Sequence, residues 1–370
     1  MAVEIGEIQR SLAFFAEHEA SGESPLYAHL AARAAGDEQV AGLLCAAGEQ
    51  QLAKPTLLLA AAHRLVIAEP VSELADFYPS VGGTSGVDSR VWPVFRSFVL
   101  QRAERMRALI GARSTQTNEV RRATALFPAL CAVTREAGGP IGLLEVGCSA
   151  GLLLGMPHYG YRYTTADGEV INSGAAKSPL VLTAELALPE GARPPKLSRK
   201  LPVAAVVGLD RAPVDLAEEE AEAWLEACIW ADQPDRLRRL NSATALQRRT
   251  PPVLIRGDAV DDLPAAAARI PAELPLVVLT SHVLPYLRPD RRDAFRAALA
   301  ALAARRPLWW LSQESYAVGL AAVLPGRDEL EFSAADPCTT VGVVRWQRGQ
   351  PQVRVLAQSA PHGERLNWLE

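Results

Sequence analysis

The chain has 370 residues, 38 Lys and Arg against 42 Asp and Glu, and a net charge of −4. That balance gives no basic field of the kind that draws nucleic acid. With 49% hydrophobic and 22% charged residues it has the composition of a globular protein, long enough for two domains or one large one. No apolar run approaches the roughly 20 residues of a membrane span, and Glu4 and Glu7 stand where a signal peptide carries positive charge. Five widely spaced cysteines without a Cys-x-x-Cys, and histidines without a His-Glu-x-x-His, argue against a disulfide framework and a zinc site. The expected compartment is a reducing cytoplasm, the expected partner a small molecule, with neither membrane nor nucleic acid.

The first third reads as helix. Ile5, Ile8, Leu12 and Phe15 recur at helical spacing. Ser24-Pro25 is an N-cap followed by a first-turn proline, opening "PLYAHLAARAA". Asp37 caps "EQVAGLLCAAGE", and Pro55 opens "PTLLLAAAHRLVIA". After the loop "PSVGGTSGVDSR" one long helix is predicted through "PVFRSFVLQRAERMRALIG". After "ARSTQTNE" another reaches about Ala137, with Pro128 as the site of a kink.

The pattern changes after Gly138-Gly139. "IGLLEVG" reads as a buried parallel strand, and "YGYRYTT" as a further strand. Residues 167–200 read as an irregular insertion. Strands at "VAAVVGLD", "PPVLIRGD", "LPLVVLTS" and "PLWWLSQ" then alternate with helices, and "TTVGVVRWQRGQPQVRVLAQS" is a hairpin. The expected fold is α/β: a Rossmann-like doubly wound sheet with a C-terminal β-hairpin, over 138–370, preceded by an all-helical region over 1–137.

"LLEVGCSAGLLL" can be read two ways. Gly147-Cys148-Ser149-Ala150-Gly151 is a literal Gly-x-Ser-x-Gly, which can carry a serine nucleophile. Ser149, then Asp210 or Asp258, then His282 or His362 supply a triad on paper. Yet Ser149 follows what reads as the first strand, and no earlier oxyanion loop is visible. Alternatively, the glycines let the backbone approach a nucleotide cofactor. The dinucleotide fingerprint fails, because Ser149 and Leu152 stand where it needs glycine.

With Glu145, Gly147, Ser149 and Gly151 in place, the segment resembles the first motif of class I S-adenosylmethionine-dependent methyltransferases. The middle glycine is serine here. The resemblance spans about Ile141 to Trp368 and implies a Rossmann-like methyltransferase-type fold with S-adenosylmethionine as cofactor. It implies that Asp210 in "VVGLDRAPVDL" holds the ribose hydroxyls, and that Asp258 in "VLIRGDAVDDLP" lies near the adenine amino group. It places "LVVLTSHVLPYL" at the methyl-transfer site. Asp210 is farther from the glycine loop than the family usually places its acid, so Asp167 in "YRYTTAD" is the alternative. The whole chain also resembles an uncharacterised bacterial domain-of-unknown-function family on "SPLYAHL", "RSTQTNEVRR", "LLEVGCSAG", "IWADQPDRLRRL", "SHVLPYL" and "PHGERLNWL".

Each candidate also has a plainer reading. Glu145 ends a buried strand, where an acid is costly without a partner, and a site role is preferred. Asp258 can cap a turn, and Tyr286 can pack. His282 is the candidate base, since imidazole titrates near neutrality, or a core histidine. Gln116 and Asn118 either reach over the glycine loop or belong to a capping turn. His362 reads as a turn residue, Cys148 as small packing. The leading expectation is a methyltransferase acting on a small molecule. The alternatives are a non-catalytic nucleotide- or S-adenosylmethionine-binding protein and a serine hydrolase using Ser149.

Overall fold

The computed structural model describes residues 4–48, 54–189, 193–331, 333 and 337–370. It is a mixed α/β protein with a large, mostly parallel sheet and helices. The chain divides into two compact units, Met1–Asn118 with Asp215–Asn241, and Glu119–Val214 with Ser242–Glu370.

The first unit holds α1 (Ile5–Phe14), α2 (Pro25–Ala35), α3 (Glu38–Ala41), α4 (Lys54–Ala68), α5 (Val91–Gln101) and α6 (Ala103–Ala112). Ser24 caps α2 as its sequence predicts, its hydroxyl accepting the Tyr27 N–H at 3.1 Å ahead of Pro25. Asp37 caps α3 by accepting from Gln39 and Val40. That helix tightens into a 3-10 turn at Gly42–Ala46, and Glu49, the end of the predicted segment, lies outside the described residues. The single helix expected over 93–111 is two, because Arg102 leaves helical dihedrals at φ −113° and ψ 24°. Leu12, Leu30, Leu58, Val91 and Phe95 form part of this unit's core.

The second unit opens with α7 (Ala123–Ala137), which runs unbroken through Pro128. The strands follow: β1 (Ile141–Val146), β2 (Gly160–Thr165), β3 (Val170–Gly174), β4 (Val181–Ala187) and β5 (Val203–Asp210). α8 (Glu219–Ala227) returns to the first unit, and the division falls within α9 (Pro234–Gln247). β6 (Val253–Arg256), α10 (Leu263–Ala267), β7 (Leu276–Ser281), α11 (Pro289–Ala303), β8 (Leu308–Glu314), β9 (Thr339–Gln347), β10 (Gln350–Ser359) and β11 (Arg365–Trp368) complete the chain. The domain break expected after residue 137 is thus displaced. α7 lies on β4, β8, β9 and β10 and goes with the sheet, whereas α8 packs on α4 and goes with the helices.

Among the described residues eleven strands form one sheet in the order β3-β2-β4-β11-β10-β9-β8-β7-β1-β5-β6. β1 runs parallel between β5 and β7, and every residue of it is buried, as an apolar run covered on both faces requires. The predicted hairpin is β9–β10, antiparallel. The insertion over 167–200 is irregular only in part: β3 and β4 lie within it, while 175–180 and 193–200 carry no helix or strand, and 190–192 lie outside the described residues. β4 alternates exposed and buried side chains, the mark of a half-covered strand. β2, β3 and β4 extend the sheet beyond β11. Because β1, β5, β6, β7 and β8 are parallel, their carboxyl ends share one edge, where ligands of such sheets bind.

Candidate functional site

Glu145 lies opposite Gly208 on β5 and Leu279 on β7, and is 4% exposed. Its Oε2 has no hydrogen-bond partner. Burial, and then the neighbouring charge of Asp210, push its carboxyl well above the usual range, while Arg122 and the Leu154 N–H pull the other way. Buried polar atoms are nearly always paired, so a bare carboxylate oxygen is a departure with a cause to be found.

The loop after β1 passes through the left-handed region three times, at Gly147 (φ 74°), Ser149 (φ 51°) and Gly151 (φ 70°). A Cβ at Gly147 would stand 2.4 Å from Val283 Cγ2, so only glycine admits the loop after β7 this closely. The loop's N–H groups turn inward: Gly147 donates to Leu209 O at 2.8 Å, Ser149 to Asp210 Oδ2 at 2.8 Å, and Gly151 to Cys148 O at 2.6 Å. The other oxygen of Asp210 accepts the Ala212 N–H at 2.8 Å. Asp210 therefore sits beside the glycine loop and fixes its shape. A phosphate cradle needs outward N–H groups, and these three are spent inside the loop. Cys148 packs under Gly208, and burial pushes its thiol well up, so it is a packing residue. The loop leads into a 3-10 helix, Leu152–His158.

Asp167 is elsewhere. It is exposed in the turn between β2 and β3, bonded to the Thr165 hydroxyl, and six strands separate β2 from β1 in the sheet. Asp258 follows β6 and caps its own turn, accepting from Val260 N–H at 2.8 Å and Asp261 N–H at 3.2 Å, with the Arg291 guanidinium beside it. Burial raises its carboxyl, but those N–H groups and Arg291 prevail and hold it below the usual range. Tyr286, expected to pack, is 67% exposed. Gln116 and Asn118 belong to the helical unit.

His282 follows β7 in the left-handed region, at φ 55°, and its buried Nε2 has no partner. Burial first, then Arg122 and His362, bring its pKa down to about 2. The ring is neutral at ordinary pH and a weak base. A stronger proton acceptor was overlooked. Glu314, at the end of β8, is 1% exposed. Its Oε1 accepts the N–H groups of Val283 at 3.1 Å and Leu284 at 3.3 Å, and its Oε2 has no partner. Burial pushes its pKa up to about 7 against the pull of those two N–H groups, Arg122 and Thr280.

Arg122 was overlooked too. It ends a 3-10 turn, Val120–Arg122, and is 8% exposed, donating from Nε to Pro361 O at 3.3 Å. Arg121 reaches His362 O at 3.4 Å, and Thr124 Oγ1 reaches Gly363 O at 2.5 Å. The segments "NEVRR" and "PHGE" thus clasp each other. Across the neighbouring strand ends runs a buried chain of hydrogen bonds: Ser281 to Gln313 at 3.1 Å, Gln313 to Ser359 at 3.1 Å, and Ser359 with Thr339 at 3.0 Å.

Fold and site together define an α/β protein with buried acids along the carboxyl edge of a mostly parallel sheet. Residues 9–368 match the family described as an uncharacterized protein conserved in bacteria, DUF2332, and the chain belongs to that family. No curated protein matches it. Among the described residues no helix is long and apolar enough to cross a membrane.

Proposed function

We propose that the sheet unit binds S-adenosylmethionine at the carboxyl ends of β1 and β5 and transfers its methyl group to a small molecule. The observation that carries this reading is Glu145, a buried carboxylate with a bare Oε2 at the end of the central strand. Glu145, Asp210 and Glu314 bring three carboxyls to this edge with Arg122, and a bound cation would favour the ionised form of the two raised ones, Glu145 and Glu314. S-Adenosylmethionine carries both an ammonium and a sulfonium group. The inward N–H groups of Gly147, Ser149 and Gly151 disfavour a pyrophosphate and leave room for a cofactor without one.

In this reading Glu145 holds the cationic part of the cofactor, and the Gly147–Gly151 backbone with Ser149 lies against it. Asp210 serves the ribose hydroxyls while fixing the loop, and Asp258 stands at the adenine end. When bound, the sulfonium supplies an electrophilic methyl group. The chain's own residues orient the acceptor in line and exclude water. His282, neutral and unpartnered at Nε2, accepts a hydrogen bond from the acceptor rather than removing its proton.

Isothermal titration with S-adenosylmethionine and S-adenosylhomocysteine tests the proposal. Wild type should bind both, and Glu145→Gln should bind S-adenosylmethionine about 10- to 100-fold more weakly, the range for hydrogen bonds to a charged group. Folded wild type that binds neither overturns it. Binding with no methyl transfer to any acceptor offered points to a non-catalytic binding protein.

One observation favours a second reading. The left-handed backbone of Ser149 suits the strained turn of a nucleophilic serine. That reading needs a base, and a histidine with a pKa of about 2 is a poor one. A fluorophosphonate adduct on Ser149, absent in Ser149→Ala, would establish it.

A further inference from the structure

Glu145 is not the only acid at this edge with a bare oxygen. Glu314 Oε2 has no partner, nor does Oγ1 of Thr340, which stands directly opposite Glu314 in the β8–β9 register. Residues paired in this way present their side chains on the same face of the sheet. Both residues are 1% exposed. The third bare atom is Nε2 of His282, whose own N–H donates to Gln313 O at 3.1 Å, one residue before Glu314. Gly319 closes over the base of the Glu314 side chain, where a Cβ would stand 3.0 Å from Glu314 Cβ. The carboxyl end is left to bind Val283 and Leu284 with one oxygen only.

The chemistry of the three atoms points one way. A carboxylate oxygen accepts only. A neutral imidazole accepts at the nitrogen that carries no proton, and a threonine hydroxyl both accepts and donates. With the His282 ring proton on Nδ1, three such atoms match a donor with several N–H groups and a positive charge. Arg122 acts by charge on Glu145, His282 and Glu314 together, but it donates to none of the three bare atoms, which have no hydrogen-bond partner.

We propose that Glu314, Thr340 and His282 form a second subsite that binds a primary ammonium group, the methyl-acceptor end of the substrate. Cation binding here stands on these side chains alone; the group's role as methyl acceptor rests on the methyltransferase reading. In that role the ammonium passes one proton to the Glu314 carboxylate. The freed nitrogen lone pair forms the new N–C bond to the methyl group, and the electron pair of the broken S–C bond stays on sulfur. The products are a methylated ammonium and a thioether. Glu314 suits the proton transfer because its pKa lies near neutrality, at about 7.

The test uses full-length protein labelled with 13C at the glutamate carboxyls. Methylammonium chloride is the probe and ethanol the uncharged control, with and without S-adenosylhomocysteine. Comparison with Glu314→Gln assigns the Glu314 resonance, and Glu314→Asp does so if the Gln variant fails to fold. Methylammonium should shift that resonance saturably and lower its apparent pKa, with ethanol doing neither. Thr340→Val, which keeps the side-chain shape, should weaken the response several-fold. No saturable response in folded wild type, or an equal response to ethanol, overturns the subsite. S-Adenosylhomocysteine binding without a methylammonium response removes the subsite and leaves the cofactor reading standing. The reverse pattern removes the cofactor reading and leaves the subsite.

Discussion

The two units each hold a histidine ring neutral, but in opposite ways. In the helical unit His63 is fully buried, yet Nδ1 lies 3.1 Å from Ala227 O and 3.0 Å from Ile229 O, and Nε2 2.7 Å from Ser80 Oγ. Burial lowers its pKa to about 4, and the two carbonyls oppose the fall. In the sheet unit His282 sits on a left-handed backbone with a bare Nε2 and a pKa of about 2. The first ring ties α4 to the chain around 227–229 and is structural. The second sits on a left-handed backbone with Nε2 unsatisfied, and Glu145 and Glu314 of the same unit each leave an oxygen unsatisfied too. Buried polar groups that hold a fold are paired; those left unpaired at a strand edge are where a ligand would act.

The comparison breaks if the two histidines cost the same. His63→Ala strands two carbonyls and a hydroxyl inside the helical unit and should lower stability by about 3 kcal/mol. His282→Ala removes an unsatisfied ring and should cost less than about 1 kcal/mol. Urea denaturation of both variants decides, and similar losses would remove the distinction.

Glu314 sharpens it. Its pKa is raised from 4.5 in the unfolded chain to about 7 in the fold. The folded state therefore holds the proton more tightly. The associated stability is complete below pH 4.5 and is lost as pH rises through about 7. A shift of this size corresponds to about 3 kcal/mol. Stability of wild type relative to Glu314→Gln should fall by that order between pH 4.5 and 8, and parallel pH profiles would contradict the burial of an unpaired carboxyl.

Asp210 is the paired acid of the same edge. Asp210→Ala frees the N–H groups of Ser149 and Ala212 and should cost about 2 kcal/mol of stability, with weaker binding of S-adenosylhomocysteine. Stability equal to wild type would mean that the loop holds its shape unaided. Ser149→Gly should have the smallest effect, a gain of about 1 kcal/mol from relief of the left-handed backbone, with S-adenosylhomocysteine binding kept. Melting temperature and titration read both, and loss of binding in the glycine variant would mean that the hydroxyl itself contacts ligand.

How much of this was legible follows from chain order. Glu145, Gly147, Ser149, Gly151 and Asp210 were readable because strand, turn and acid follow each other locally, and the parallel register then brings Asp210 to Ser149. β4 and β11 were not readable, being half-buried, the second only four residues long, and defined by pairing with each other across the chain. Glu314 ends an apolar strand just as Glu145 does, but no glycine turn follows it to mark the position. Arg122 stands within "RSTQTNEVRR", where nothing in the sequence distinguishes it from its neighbour Arg121. Only the fold shows that it is buried against the 361–363 turn.

In the proposed reading Glu145 awaits a cation. Burial drives its carboxyl toward the protonated form, so binding a cation there should expel a proton. Titration of S-adenosylmethionine at one pH in buffers of different ionisation enthalpy measures this directly. Wild type should bind and release up to one proton through Glu145, and Glu145→Gln should bind weakly without that release. An observed enthalpy that is the same in every buffer, or the same dependence in both proteins, would contradict it.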